Sequence, residues 1–155
     1  MSSDCVFCKI VEGKIPCHKV WENENYLAFL SIFPNTLGTT VVIPKKHYSS
    51  YAFNLPDKIL KDLIIATKKV AKLIDSNLND VGRTALVFEG FGVDHVHSKL
   101  FPMHGTGNMG KWKSLESENK MNAFFEKYPG FISSHDSYKM SDKELVKIAS
   151  KIRGE

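Results

Sequence analysis

The stretch from Val93 to His104 constrains this chain more than any other. Val93, His95, His97, Lys99 and Phe101 alternate with Asp94, Val96, Ser98 and Leu100, while Gly90-Phe91-Gly92 breaks the chain just before. Alternation of this kind predicts a strand, and a strand would project His95, His97 and Lys99 from one face at intervals of about 6.5 to 7 Å. Two imidazoles and an ammonium on one ridge serve little purpose in an apolar core. They suit an anion, a metal ion, or one of each.

The rest of the chain can bury such a strand. With 155 residues, 43% of them hydrophobic and 25% charged, the composition fits one compact domain with a core and argues against disorder. Apolar runs such as Leu63-Ile64-Ile65-Ala66 are too short to cross a membrane. MSSDCVFCKI has no basic segment followed by an apolar one, so no signal peptide is read and a cytoplasmic location is expected. A net charge of +4 is compatible with phosphorylated ligands and too mild to argue for nucleic acid. Three cysteines do not make a disulfide framework, but Cys5 and Cys8 form a local pair.

In chain order, residues 5 to 12 read as a helical turn closed by Gly13 and Pro16. Lys19–Glu22, Tyr26–Ile32 and Thr39–Ile43 read as strands, the last ended by Pro44. A long helix starts at Leu55-Pro56-Asp57, with Leu60, Leu63, Val70 and Ile74, flanked by Ile59, Ile64 and Leu73, as its apolar stripe. Thr84–Glu89 is a fourth strand and the histidine stretch a fifth. Gly105, Gly107 and Gly110 loosen the chain, residues 111 to 126 suit a helix, and Gly130-Phe131-Ile132 an extended piece. Ser141-Asp142-Lys143-Glu144 has capping-box spacing and opens a terminal helix through Ile152. The fold class is α+β with an antiparallel sheet.

His95-Val96-His97-Ser98-Lys99-Leu100-Phe101 resembles the histidine-triad motif, His-x-His-x-His followed by two apolar residues. Cys5-Val6-Phe7-Cys8-Lys9-Ile10, then Ile15-Pro16, Leu27–Ile32 and Val41–His47 resemble that family's other segments, in the family's order. Each motif alone is weak; the ordered set is specific. The resemblance implies a five-stranded antiparallel sheet with a crossing helix, placed here over residues 1–110; residues 111–155 exceed the family's minimal domain and are read as a C-terminal helical extension packed on the same domain. The resemblance further implies a homodimer whose sheets join, with nucleotidyl hydrolase or transferase chemistry on nucleotide conjugates or dinucleoside polyphosphates. His97 matches the family's nucleophile, which attacks an α-phosphorus through a neutral imidazole whose other nitrogen donates to a fixed acceptor.

The sequence departs from the family pattern in ways that alter ligand recognition. Lys99 replaces the third histidine and can neutralise phosphate oxygens. His104 is either a titrating replacement, if Pro102 bends the chain back, or a surface loop residue. Ser31 stands where relatives carry the aspartate that grips the ribose, Thr39 where many carry a histidine, and Phe88 where an asparagine is usual. Gly90 and Gly92 stand in place of the family's phosphate-touching Gln-Ser and could cradle an anion or simply form a bulge. Val6, Phe7, Ile10, Phe29 and Ile32 match positions that sandwich the base, with Phe7 and Ile32 the best candidates; ordinary core packing is the other reading. Bacterial-type relatives complete a zinc site from residues that match Cys5, Cys8, His47 and His95; the alternative is a pair of small buried thiols.

The expected function is therefore a cytoplasmic, homodimeric nucleotidyl hydrolase or transferase, with His97 as nucleophile, Lys99 a phosphate contact and His104 a proton carrier. The alternatives are a nucleotide-binding scaffold that has lost turnover, and a metal-dependent hydrolase using His95, His97 and His104.

Overall fold

The computed structural model describes residues 4–107 and 139–155. Its elements are α1 (Val6–Val11), β1 (Lys19–Glu22), β2 (Tyr26–Leu30), β3 (Thr40–Pro44), a short 3-10 turn (Ala52–Asn54), α2 (Asp57–Asn77), β4 (Val81–Val87), β5 (Ser98–His104) and α3 (Asp142–Arg153). The five strands form one sheet in the order β1-β2-β3-β5-β4, every neighbour antiparallel. The expected α+β architecture is the observed one. The expected helix over 111–126, the extended piece at 130–132 and the boundary near residue 110 lie outside the described residues.

Strands β2 and β3 are buried along their whole length because both faces of the sheet centre are covered. Ala28, Leu30 and Val42 join Leu63, Val70 and Ile74 of α2 and Leu145 and Ile152 of α3 in the main core. On the other face Leu27, Phe29, Val41 and Ile43 pack against Phe7, Ile10 and Val11 of α1. The period of two thus sorts each strand between two apolar layers. Helix α2 buries Leu63, Ala66, Thr67, Val70 and Ile74. Ile64, read as part of the apolar stripe, is instead 41% exposed.

The histidine stretch is shorter as a strand than expected. It pairs only from Ser98, and residues 93–97 form a bent segment. Pro44 explains the difference. The register Val42↔Ser98 would put Pro44 opposite Val96, and the Lys45 amide bonds Asn25 on the β2 side, so Pro44 faces β5. A proline has no N–H to continue that ladder. Val96 N–H donates to the Tyr48 carbonyl instead, and Ser50 N–H to the Asp94 carboxylate. Alternation survives within β5: Ser98, Leu100 and Pro102 are buried on the α2 side, and Lys99 and Phe101 turn the other way.

Helix α3 starts as the capping box predicts, with Ser141 as N-cap accepting from Glu144 N–H, and ends at Gly154 with φ of 82°. It seals the β1 side of the sheet. Arg153 donates to the Lys19 carbonyl at 2.7 Å, and Asn77 of α2 donates to the Ile152 carbonyl at 2.9 Å. The C-terminal helix is therefore part of the main core. Because Ile152 is fully buried, Ile152→Ala should lower the unfolding free energy by about 2 to 5 kcal/mol in denaturant titration. A change below about 0.5 kcal/mol, the usual size for a surface site, would mean that α3 is not packed there in solution.

Candidate active site and metal centre

Cys5 is the N-cap of α1, its thiol accepting from the Cys8 amide at 3.4 Å. Three residues of helical spacing then bring Cys8 to the same side. The loop after β3 delivers His47, and the bent segment before β5 delivers His95. One donor atom from each of Cys5, Cys8, His47 and His95 lies within 4.8 Å of the other three. Cys5 Sγ is 3.4 Å from His95 Nδ1, Cys8 Sγ 3.7 Å from the same atom and 3.5 Å from His47 Nδ1. Tetrahedral metal bonds of about 2.3 Å to sulfur and 2.05 Å to nitrogen put those atoms about 3.6 Å apart. His95 Nε2 donates to the Pro44 carbonyl at 2.8 Å, so its Nδ1 turns a lone pair toward the two sulfurs. The cluster fits a metal ion. Burial, with Cys5 alongside, pushes the Cys8 thiol up; a coordinated cation would reverse that and hold both sulfurs as thiolates.

His97 stands next to this cluster. Its Nδ1 donates to the backbone carbonyl of His95 at 2.8 Å, which leaves Nε2 as the nitrogen with the free lone pair. Burial, reinforced by the positive charge of Lys99, holds His97 below the usual imidazole range, and burial does the same to His95. His97 is therefore a neutral, single-tautomer base near pH 7. Phe7 meets the rings of His97, His95 and Phe29 edge-on, at centroid distances of 5.4, 5.8 and 5.5 Å. It packs α1 against the rings of both His95 and His97.

Lys99 projects on the same face and forms an ion pair with Glu89 at 3.1 Å, both side chains largely buried. Glu89 was not among the residues singled out from sequence. The signal lay in the register: Val87 pairs with Lys99, and Glu89 is two residues further on the same face. Gly90 and Gly92 both have positive φ, 72° and 84°. A Cβ on Gly90 would sit 3.3 Å from the Ser50 carbonyl, whereas Gly92 has open space around it. Gly92 lines a shallow cavity with Asp4, Cys5 and Val6 at the head of α1.

Ser31 and Ile32 follow β2 in the loop to β3. The register Phe29↔Val41↔Lys99 puts Phe29, and two residues on Ser31, on the same sheet face as Lys99. Ser31 Oγ accepts from Phe33 N–H at 3.2 Å, and Ile32 is 40% exposed. Phe29 is buried in the smaller core, with Ile10 partly buried against it. Thr39 is buried and bonded within its own loop, and Phe88 packs toward the main core.

His104 requires a correction. Pro102 does not bend the chain back; it lies inside β5 opposite Thr84, past the last β3 pair at Leu100, where no neighbour needs its N–H. His104 therefore ends the strand roughly 23 Å from His97, counted as seven residues at 3.3 Å each. Both its nitrogens are engaged there, by Asp80 and by the Leu37 carbonyl. A catalytic ion held by His95, His97 and His104 is excluded by the same geometry.

Comparison with known proteins agrees with this arrangement. Residues 12–106 match the family model described as HIT domain. A HIT-like protein of Methanocaldococcus jannaschii is 36% identical over 121 residues, 73% of this chain and 90% of the relative. The adenosine 5'-monophosphoramidase of Schizosaccharomyces pombe is 41% identical over 99 residues, 63% of this chain and 73% of the relative. Among solved structures, a zinc-bound histidine triad family protein from Mycobacterium smegmatis superposes with a TM-score of 0.70 at 21% identity, covering 99% of this chain and 94% of its own.

The cluster geometry leads to a direct expectation. Protein purified without added metal should carry about one transition-metal ion per chain by elemental analysis, and Cys8→Ser should lose it with a lower melting temperature. Metal-free protein that melts where the parent does would contradict the fit.

Proposed function

Given that the chain belongs to the HIT domain family, we propose that it is a nucleotidyl hydrolase or transferase acting at the α-phosphate of a nucleotide conjugate or dinucleoside polyphosphate. The observation that carries this reading is the bond from His97 Nδ1 to the His95 carbonyl. It leaves a buried, neutral imidazole with Nε2 free to attack. In the first step the Nε2 lone pair forms a bond to the α-phosphorus while the bond to the leaving group breaks, giving a nucleotidyl-histidine. In the second, water attacks phosphorus and gives up a proton, balancing the one the leaving group took up on departing with the electron pair. The P–N bond breaks with its electrons returning to Nε2, and His97 regains its starting state. Relatives that bear the name adenosine 5'-monophosphoramidase support this class of chemistry.

Each neighbouring residue then has a part. Lys99 faces the phosphate oxygens as a point charge. The Gly90 and Gly92 segment cradles the phosphate, Ser31 meets the ribose, and Phe7, Ile10, Phe29 and Ile32 line the base pocket. Two sulfurs and two imidazole nitrogens in tetrahedral reach select zinc. With all four positions filled by protein, such an ion would be structural and would tie α1 to the segment that carries His97. Free thiols at Cys5, Cys8 and Cys17 suit the reducing cytoplasm, and no helix among the described residues is long and apolar enough to cross a membrane.

The proposed molecule is a homodimer joined at β4. Helix α3 covers β1, so among the described residues β4 is the open edge. Leu86 on that strand is 43% exposed. Asp75 of α2 accepts from Thr84 of β4 at 2.7 Å. An open apolar edge is a template for pairing. Sedimentation should show twice the chain mass of 17.5 kDa at micromolar concentration, and Leu86→Asp should shift the protein to monomer. A parent protein that sediments as a monomer would contradict the joined sheet.

The chemical test uses His97→Ala with adenosine 5'-phosphoramidate and a diadenosine polyphosphate. Turnover should fall by at least about a thousandfold while nucleotide affinity changes little, because the lost group acts in the transition state. A base quench during turnover should trap the nucleotidyl adduct on the parent and none on the variant. Continued turnover by His97→Ala would remove the nucleophile from this account.

A further inference from the structure

His104 has a role that its distance from the phosphate site does not exclude. Its Nδ1 lies 2.9 and 3.0 Å from the two carboxylate oxygens of Asp80, and its Nε2 lies 2.9 Å from the Leu37 carbonyl. Both partners are acceptors, so each ring nitrogen of His104 faces a hydrogen-bond acceptor. The hydrogen bond from His104 holds the Asp80 carboxyl below the usual range, which keeps the partner a carboxylate. His104 thus bridges the end of β5, the turn between α2 and β4, and the loop between β2 and β3.

That loop is a single knitted unit. Ser31 N–H donates to the Thr39 carbonyl at 2.9 Å, Phe33 N–H to Ser31 Oγ, and Thr39 N–H and Oγ1 both to the Thr36 carbonyl. Gly38 takes φ of 84°, and a Cβ there would lie 3.2 Å from both Leu78 and Pro102. The loop therefore rests on β5 at Gly38 and is fastened to it by the Leu37 carbonyl. Displacement at Leu37 passes through Thr36 and Thr39 to Ser31 and Ile32.

We propose that His104, clamped by Asp80, is a positioning residue that fastens the 31–39 loop and so holds Ser31 and Ile32 where the ribose and base of a nucleotide would lie. This rests on the nucleotide reading of Ser31 and Ile32 given above. It assigns His104 a part in substrate binding and none in proton transfer.

Two measurements test it. In substrate-free His104→Ala, amide exchange at Ser31, Phe33 and Thr39 should accelerate about tenfold, while Val70 and Ile74 in α2 keep the parental rate. With adenosine 5'-phosphoramidate as probe, KM should rise about tenfold and kcat should stay within about twofold, the pattern of a lost binding contact. Asp80→Asn should move both readouts in the same direction. His104→Arg, which offers a charged fork to the same two acceptors, should recover most of the loss. Unchanged loop exchange in His104→Ala overturns the clamp. A fall in kcat at constant KM overturns the positioning role and returns His104 to the chemistry. A parent that neither binds nor turns over the probe overturns the nucleotide reading and with it the substrate half of the inference, while the exchange result still decides the clamp.

Discussion

Two hydrogen bonds in series set the chemistry of this site: His95 Nε2–H to the Pro44 carbonyl, then His97 Nδ1–H to the His95 carbonyl. The first turns His95 Nδ1 to the sulfurs. The second turns His97 Nε2 outward as a base. Both depend on Pro44, whose missing N–H ends the β3–β5 ladder and whose carbonyl is then left for a side chain. An uninterrupted ladder would give that carbonyl to a strand amide, and neither imidazole would be held in one tautomer. A gap in the sheet of one residue therefore links the cysteine–histidine cluster to His97.

The two-layer arrangement makes this gap affordable. Helices α2 and α3 cover one face and supply most of the buried apolar surface. The other face has only the short α1, whose smaller cluster of Leu27, Phe29, Val41 and Ile43 is completed by Phe7, Ile10 and Val11. Six residues of helix are marginal alone. Cys5 and Cys8 give α1 a second attachment through His47 and His95, and Phe7 fills the space between that attachment and His97. Apolar burial is concentrated on the helical side.

Much of this was legible in the sequence, and the misses have physical causes. Strands β1 to β3, helix α2 and the capped α3 were visible because their periodicities and caps are local. Cys5, Cys8, His47 and His95 were connected only through family resemblance, since their separations say nothing about convergence across a sheet. Two corrections came from prolines. The expected strand at 93–97 failed because Pro44, on a different strand, removed its partner. Pro102 suggested a bend, yet it sits where β5 has no β3 neighbour, so the strand continues and takes His104 away from His97. Ile64 was read as part of the apolar stripe of α2 and is instead exposed. Glu89 was missed because its pairing with Lys99 depends on cross-strand register, which the sequence does not display.

The central claim is that the backbone holds His97 as a neutral imidazole protonated on Nδ1. Nitrogen-15 NMR of the imidazole side chains near pH 7 tests it most directly, with His97→Gln used for assignment. The account predicts a protonated Nδ1 and an unprotonated Nε2 for His97 in the resting protein. A proton on Nε2, or on both nitrogens, would contradict it.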